Sequence, residues 1–195
     1  EHELDKNPVL QNELSDIRGD LHLVGLVSDG GVHSHIDHLI DLARVSRNGF
    51  KGNIFIHAFT DGRDVDPKSG LGFIQSLEHI MKDYRIPVVS VVGRYYAMDR
   101  DKRWERIKFA YDVLINGIGE KSNNAIDTLK NSYVNNITDE FVKPTNITGV
   151  NGKPLALIQP GDAVICFNFR TDRCREITQV LTQFDIPEHG MHKLP

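Results

Sequence analysis

Four times along this 195-residue chain, a short apolar, β-branched run leads through a polar loop into a helical pattern. The runs lie at 21–27, 53–59, 88–92 and 163–169, and each has the length and composition of a buried strand. Ile36, Leu39, Ile40 and Ala43 follow the first at helical spacing, and Phe73, Ile74, Leu77, Ile80 and Met81 follow the second. Trp104, Ile107, Tyr111 and Leu114 continue the third in a helix to about residue 116, and a fourth helix is expected to about 181. Strands that alternate with helices pair in parallel, because right-handed crossovers lay the helices on the sheet faces. The expected fold class is therefore α/β, a mostly parallel sheet flanked by helices in a single domain.

Local signals refine this plan. Ser34 and Ser69 are candidate N-caps of the first two helices, and Asn48-Gly49 is a stop signal. The region 117–150 is rich in Asn, Thr and Ser and less regular, with 125–133 reading as helical and 140–142 as extended. Val150-Asn151-Gly152-Lys153 has the chemistry of a hairpin turn between short strands, so a small irregular and hairpin region is expected around 117–160. Residues 1–20 read as a lead-in, with Val9, Leu10, Leu14 and Ile17 suggesting a helical turn or two. Pro187, Gly190 and Pro195 make the stretch 184–195 read as linker, which leaves a core of about 21–181.

Parallel βα units place every strand-to-helix loop on one edge of the sheet, where open α/β sheets bind their ligands. His33, Arg63, Asp64, Arg94, Arg100, Arg170 and Arg173 all lie on those four loops. Arginine's planar fork suits carboxylate and phosphate oxygens, and five arginines with a histidine would repel one another around an empty crevice. A small ligand with several separated negative charges answers that arrangement. Asp64 is the one carboxylate of the set; neighbouring arginines favour its ionised form, and a positioned carboxylate can take a proton from a substrate hydroxyl. Asp64 can equally pair with Arg63 or cap the next turn. A phosphorylated hydroxy acid fits all these features. Asp29 reads as a turn residue.

Other motifs fail on spacing. Gly30-Gly31 is not a G-x-G-x-x-G fingerprint, and no P-loop occurs. His33, His35 and His38 have the density of a metal site but straddle a loop and a helix start. Asp61, Asp64 and Asp66 miss the EF-hand pattern. Tyr95 and Tyr96 could stack on a base, which keeps a nucleotide- or RNA-binding protein as a competing class. A net charge of -4 speaks against nucleic acid and anionic membranes as partners. No apolar run approaches membrane-spanning length and no signal peptide is evident, so a cytoplasmic protein is expected, with Cys166 and Cys174 as reduced, partly buried thiols.

Several segments together resemble the cofactor-independent, that is 2,3-bisphosphoglycerate-independent, phosphoglycerate mutase family. They are 28–35 (SDGGVHSH), Asp61-Gly62-Arg63-Asp64, 93–106 (GRYYAMDRDKRWER) and Asn168-Phe169-Arg170 with Asp172-Arg173. The resemblance runs from about 21 to 181. It implies a two-domain enzyme in which an alkaline-phosphatase-like domain carries a serine nucleophile and two manganese ions (Mn2+). A second, inserted domain binds the substrate, and this chain is similar to that one. It further implies interconversion of 3-phosphoglycerate and 2-phosphoglycerate in glycolysis and gluconeogenesis. His33, Arg63, Asp64, Arg94, Arg100, Arg170 and Arg173 would then bind substrate, and Asp64 would be the catalytic acid/base. The family's Asn-Ser-Glu-Val-Gly-His and Asp-His-Gly-Asn motifs are absent. The chain is therefore expected to be one inserted domain, with 1–20 and 182–195 as connections to the metal domain of the same polypeptide. It is expected to hold no metal itself and to be inactive alone. The alternative is a stand-alone binding module for small phosphorylated acids.

Overall fold

The computed structural model describes residues 3–194. Its strands are β1 (Leu21–Leu26), β2 (Ile54–Thr60), β3 (Val88–Gly93), β4 (Glu120–Ser122), β5 (Thr145–Ile147) and β6 (Ala163–Cys166). They form one sheet in the order β4-β5-β3-β2-β1-β6. The four strands read from the sequence, β3, β2, β1 and β6, are adjacent and parallel, as the βα pattern requires. β5 runs antiparallel to β3 and β4 parallel to β5. These two three-residue strands lie in the region that reads as irregular, because runs so short carry no periodicity.

The helices are α1 (Pro8–Asp16), α2 (Ile36–Gly49), α3 (Gly70–Tyr84), α4 (Arg94–Ala97), α5 (Trp104–Tyr111), α6 (Ala125–Val134) and α7 (Arg175–Thr182). Alternation along β1 divides the interior in two. Leu21 and Leu23 pack with α2, α3 and α6, whereas Val24 and Leu26 pack with α5 and α7. A wide π-turn, Asp112–Asn116, carries the α5 pattern onward and seats Val113 and Leu114 in the second core.

Several local readings are corrected. Ser34 does not cap α2; its hydroxyl donates to the Leu26 carbonyl, and His35 Nδ1 accepts the Asp37 N–H as the cap. Ser69 precedes α3 without a side-chain cap, because its hydroxyl donates to the Asp66 carbonyl (2.7 Å). Residues 139–141 form a 3-10 turn rather than an extended segment. The 150–153 turn closes only an isolated bridge, Thr148 to Pro154. The last strand stops at Cys166, which frees Asn168 to turn inward and accept the Leu26 N–H through Oδ1 (2.9 Å).

Both end segments pack on the body of the fold. Asn7 Oδ1 caps α1 by accepting from Val9 (3.0 Å) and Leu10 (3.1 Å), and Leu14 enters the first core. The segment read as linker buries Ile186 and Met191 in the second core. Its last residue, 195, lies outside the described residues.

A polar row crosses the sheet interior. Asp162 Oδ2 lies 3.1 Å from His22 Nε2, His22 Nδ1 lies 2.9 Å from His57 Nε2, and His57 Nδ1 lies 2.8 Å from Ser90 Oγ. Burial lowers the basicity of His22 against the pull of Asp162, and burial together with His22 takes His57 well below the ordinary histidine value. Both are therefore built in as neutral rings.

Candidate functional site

The chain steps outward from β1 through β2 to β3 and then returns to β6 on the other side of β1, so the strand order reverses between β1 and β6. Open α/β sheets form a ligand crevice at such a point. Here the two loops are joined, with the Arg170 N–H donating to the His33 carbonyl (3.2 Å).

Asp61, just after β2, organises the middle of the edge. Its Oδ1 accepts the backbone N–H groups of Arg63 and Asp64 (3.1 Å each), and its Oδ2 accepts the Ser28 hydroxyl (2.7 Å). This turn needs Gly62 at φ 68, where an added Cβ would meet the Glu140 nitrogen at 2.8 Å. Arg94 opens α4 with its side chain only 3% exposed, and its Nη1 reaches Asp61 Oδ1 at 2.6 Å and Asp64 Oδ2 at 2.5 Å. Burial disfavours charge on both Asp61 and Arg94. It is outweighed at Asp61 by the Asp64 N–H, Ser28 and Arg94, which hold the carboxyl below the usual range. At Arg94 it is outweighed by Asp64 and Asp61, which hold the guanidinium more firmly protonated. The result is a fixed cation at the floor of the crevice.

His33 is buried beside this pair, its Nε2 3.8 Å from Asp64 and its Nδ1 3.6 Å from Asp172, both beyond hydrogen-bond reach. Burial and then Arg94 lower its basicity, while Asp64 and Asp172 pull the other way. Asp172 is a second hub, 3.3 Å from Arg100 and 3.1 Å from Arg170. Arg63 reaches Glu140 at 3.6 Å. Arg173 differs from these: its Nη1 donates to the Met98 carbonyl (3.1 Å), and burial, Arg94, Arg100 and Arg63 together make it easier to deprotonate. That is a guanidinium in a cationic neighbourhood, the environment an anion relieves.

Arg63, Arg94, Arg100 and Arg173 line one polar cavity of about 270 Å³. Asp64 and His33 stand at its Arg94 end, and Arg170 lies outside its walls, on Asp172. All seven sequence-derived residues thus meet on one edge. Their charge is more balanced than the sequence suggests, since Asp61, Asp64, Asp172 and Glu140 alternate with the arginines. Asp64 pairs with Arg94 and not with Arg63.

Arg103, Arg106 and Tyr95 also line the cavity; the two arginines were not singled out from the sequence, and Tyr95 was read there only as a base-stacking candidate. Arg106 lies over the Tyr95 ring at 4.0 Å. Asp99 folds this stretch back by accepting the N–H groups of Asp101 and Arg103 (2.9 Å each). Asp61 and Asp172 were missed as hubs, although each lies within a short Arg-Asp motif that could have exposed it. The three spaced histidines diverge in use: His33 lines the crevice end, His35 caps α2, and His38 packs near Phe169. No group of three or more His, Cys, Asp or Glu among the described residues is arranged to hold a metal, and the crevice carboxylates are engaged by guanidinium groups. A manganese ion does not fit this donor set. No helix among the described residues is long and apolar enough to cross a membrane.

The family model described as BPG-independent PGAM N-terminus matches residues 1–194. The 2,3-bisphosphoglycerate-independent phosphoglycerate mutase of Flavobacterium johnsoniae is 55% identical over 174 residues, covering 89% of this chain and 34% of that protein. Its counterpart in Bacteroides fragilis is 50% identical over 193 residues, covering 97% and 38%. A crystal structure of Leishmania mexicana phosphoglycerate mutase at low cobalt concentration superposes with a TM-score of 0.85 at 31% identity, covering 91% of this chain and 34% of that one. The chain spans about a third of the length of these relatives. With the match running over nearly every residue, this chain belongs to the family of the BPG-independent phosphoglycerate mutase N-terminus.

Proposed function

We propose that this chain is the inserted glycerate-binding domain of a cytoplasmic, manganese-dependent phosphoglycerate mutase that interconverts 3-phosphoglycerate and 2-phosphoglycerate in glycolysis and gluconeogenesis. The observation that carries the reading is the convergence of Arg63, Arg94, Arg100 and Arg173 on one cavity, with Asp64 bonded to Arg94 at its end. The cavity falls just below the ~300–1,000 Å³ of drug-sized sites, which suits a ligand as small as a phosphorylated three-carbon acid. Arg173, hydrogen-bonded to the Met98 carbonyl, and Arg100 and Arg63, half-exposed on carboxylate contacts, can turn to the ligand's anionic groups at little cost. Arg94 is held by two aspartates and acts as a fixed positive floor.

Asp64 is the general acid/base in this reading. Its Oδ2 faces Arg94 and His33, so a glycerate hydroxyl drawn into the cavity meets a carboxylate whose orientation is already set. It accepts the hydroxyl proton as phosphorylation begins there and returns one as the phosphoryl group leaves. The serine nucleophile and two manganese ions of the family belong to the polypeptide outside this chain, where they supply phosphoryl-transfer chemistry. Closure of the two parts would bring that chemistry against the arginine edge. The chain alone is accordingly inactive as a mutase.

An amide NMR titration with 3-phosphoglycerate, with ATP as control, tests this. Saturable shifts confined to residues near His33, Asp64, Arg94–Arg100 and Arg170–Arg173 are expected. Arg100→Ala should weaken binding about 10- to 100-fold, the range of one charge-assisted contact of ~1.5–3 kcal/mol. Shifts with ATP alone, or none with 3-phosphoglycerate in both this chain and the full-length protein, would overturn the reading.

A further inference from the structure

Behind the arginine loop lies a feature that the crevice does not use. Cys166 ends β6 and Cys174 immediately precedes α7, so two sulfurs bracket the segment 167–173 that carries Arg170, Asp172 and Arg173. Both line one open groove of about 270 Å³, together with Asn168, Thr171 and Thr178. Cys174 is 4% exposed within the second core, and half-buried Cys166 packs against that core. Both cysteines line this one groove, and each thiol shifts the acidity of the other. In the sequence alone these residues read as two passive thiols, but a shared groove open to solvent gives a small oxidant access that two separately buried thiols lack.

We propose that Cys166 and Cys174 form a redox-modification site, at which a peroxide converts the facing thiols into a disulfide that ties together the two ends of the arginine loop. Cys166 is the attacking sulfur. It is the more exposed of the two, Cys174 being only 4% exposed; the neighbouring Cys174 side chain brings the Cys166 thiol down to about 7 against the effect of burial, whereas Cys166 and burial push Cys174 well above the ordinary thiol value. The Cys166 thiolate attacks one peroxide oxygen and the O–O bond breaks. Hydroxide leaves and becomes water with the proton that the Cys166 thiol released, and Cys166 is left as a sulfenic acid. The Cys174 sulfur then attacks the Cys166 sulfur. The S–O bond breaks as the S–S bond forms, and the hydroxyl departs as a second water with the Cys174 proton. Two thiols and one peroxide thus give one disulfide and two waters, with two electrons passing from sulfur to the peroxide.

The oxidation needs the two sulfurs to close to the ~2.05 Å of a disulfide within the groove that both already line. Two bonds carry the closure to the crevice, Asn168 Oδ1 on the Leu26 N–H and the Arg170 N–H on the His33 carbonyl. None of this depends on which ligand the crevice takes.

The chain has no other cysteine, which makes the test direct. Hydrogen peroxide added near stoichiometry at pH 7 should lower the intact mass by about 2 Da, the loss of two hydrogens. Non-reducing digestion should give one peptide pair joined through Cys166 and Cys174, and the amide resonances of Arg170–Arg173 should move and then return with dithiothreitol. Cys174→Ser should stop at a Cys166 sulfenic acid trapped by dimedone, and Cys166→Ser should leave Cys174 unmodified at the same dose. An unchanged mass with both thiols still alkylated by iodoacetamide, disulfides only between molecules, or first trapping at Cys174 would overturn the proposal. The wild-type experiment decides the matter even if a variant fails to fold.

Discussion

Replacing Arg94 by methionine removes the cation between Asp61 and Asp64 while keeping an apolar stem of similar length. Asp64 is 22% exposed and can turn to water, so its share of the loss is small. Asp61 is 2% exposed and cannot. Removing one partner of a buried ion pair costs about 3–5 kcal/mol, because a charge is left behind without its counterion. Asp61 keeps the Ser28 hydroxyl and two N–H donors, which places the expected loss at the lower end, about 3 kcal/mol. That is about a hundredfold in the folding equilibrium, and a fall in urea midpoint of roughly 1–3 M at an unchanged m-value. Adding Asp61→Asn to this variant should recover most of the loss, since the amide oxygen that replaces the carboxylate still accepts both N–H groups and no charge remains. The pH response has a definite sign. The Asp61 carboxyl in the wild type sits below its ordinary 3.8, so its contribution is present above that pH and fades as pH falls through the lowered value. Without Arg94 the carboxyl rises, and the variant's deficit should shrink on acidification. A cost below about 1 kcal/mol, or an Asp61→Asn effect that simply adds to it, would refute Arg94 as the counterion of a buried charge.

Three further outcomes follow from the geometry. His22 and His57 fold as neutral rings with lowered basicity, so their contribution is full above the ordinary 6.5 and is lost as pH falls below it; the urea midpoint should drop between pH 8 and pH 6, and drop less in His57→Gln. A flat profile in both proteins would contradict this. Gly62→Ala should cost more than about 2 kcal/mol by denaturation, because left-handed strain adds to a 2.8 Å clash with the Glu140 nitrogen, whereas Gly31→Ala, with φ 67 and open space, should cost only about 1 kcal/mol; equal losses would show that strain alone decides. Asp172→Asn removes a charge that raises His33, so NMR titration should find the His33 ring titrating at lower pH than in the wild type, and a rise would count against their coupling across 3.6 Å.

Periodicity made the four βα units legible, because burial on a sheet face or a helix stripe repeats over enough residues to leave a pattern. The shared sheet edge, and with it the seven candidate residues gathered there, followed from the crossover rule and not from any contact. What periodicity cannot carry was missed: β4 and β5 are three residues each, and Ser34 and Ser69 have cap chemistry but spend their hydroxyls on the carbonyls of Leu26 and Asp66. Proline and glycine made the C-terminal segment read as linker, yet Ile186 and Met191 fill the second core.

Chain order alone settles which residue types stand at the carboxyl ends of the parallel strands, since the succession of strand, loop and helix puts them there. Their pairing is a product of the folded body. Partners far apart in the chain meet across neighbouring strands: Arg94 reaches Asp61 and Asp64 because β3 lies beside β2, and Asp172 comes near His33 because the strand order reverses to set β6 beside β1. Burial then sorts identical side chains into different roles: Arg94 is a sequestered fixed cation, and Arg63, Arg100 and Arg170 are half-exposed and free to turn. Burial and pairing depend on long-range packing, and no local pattern of residues encodes them.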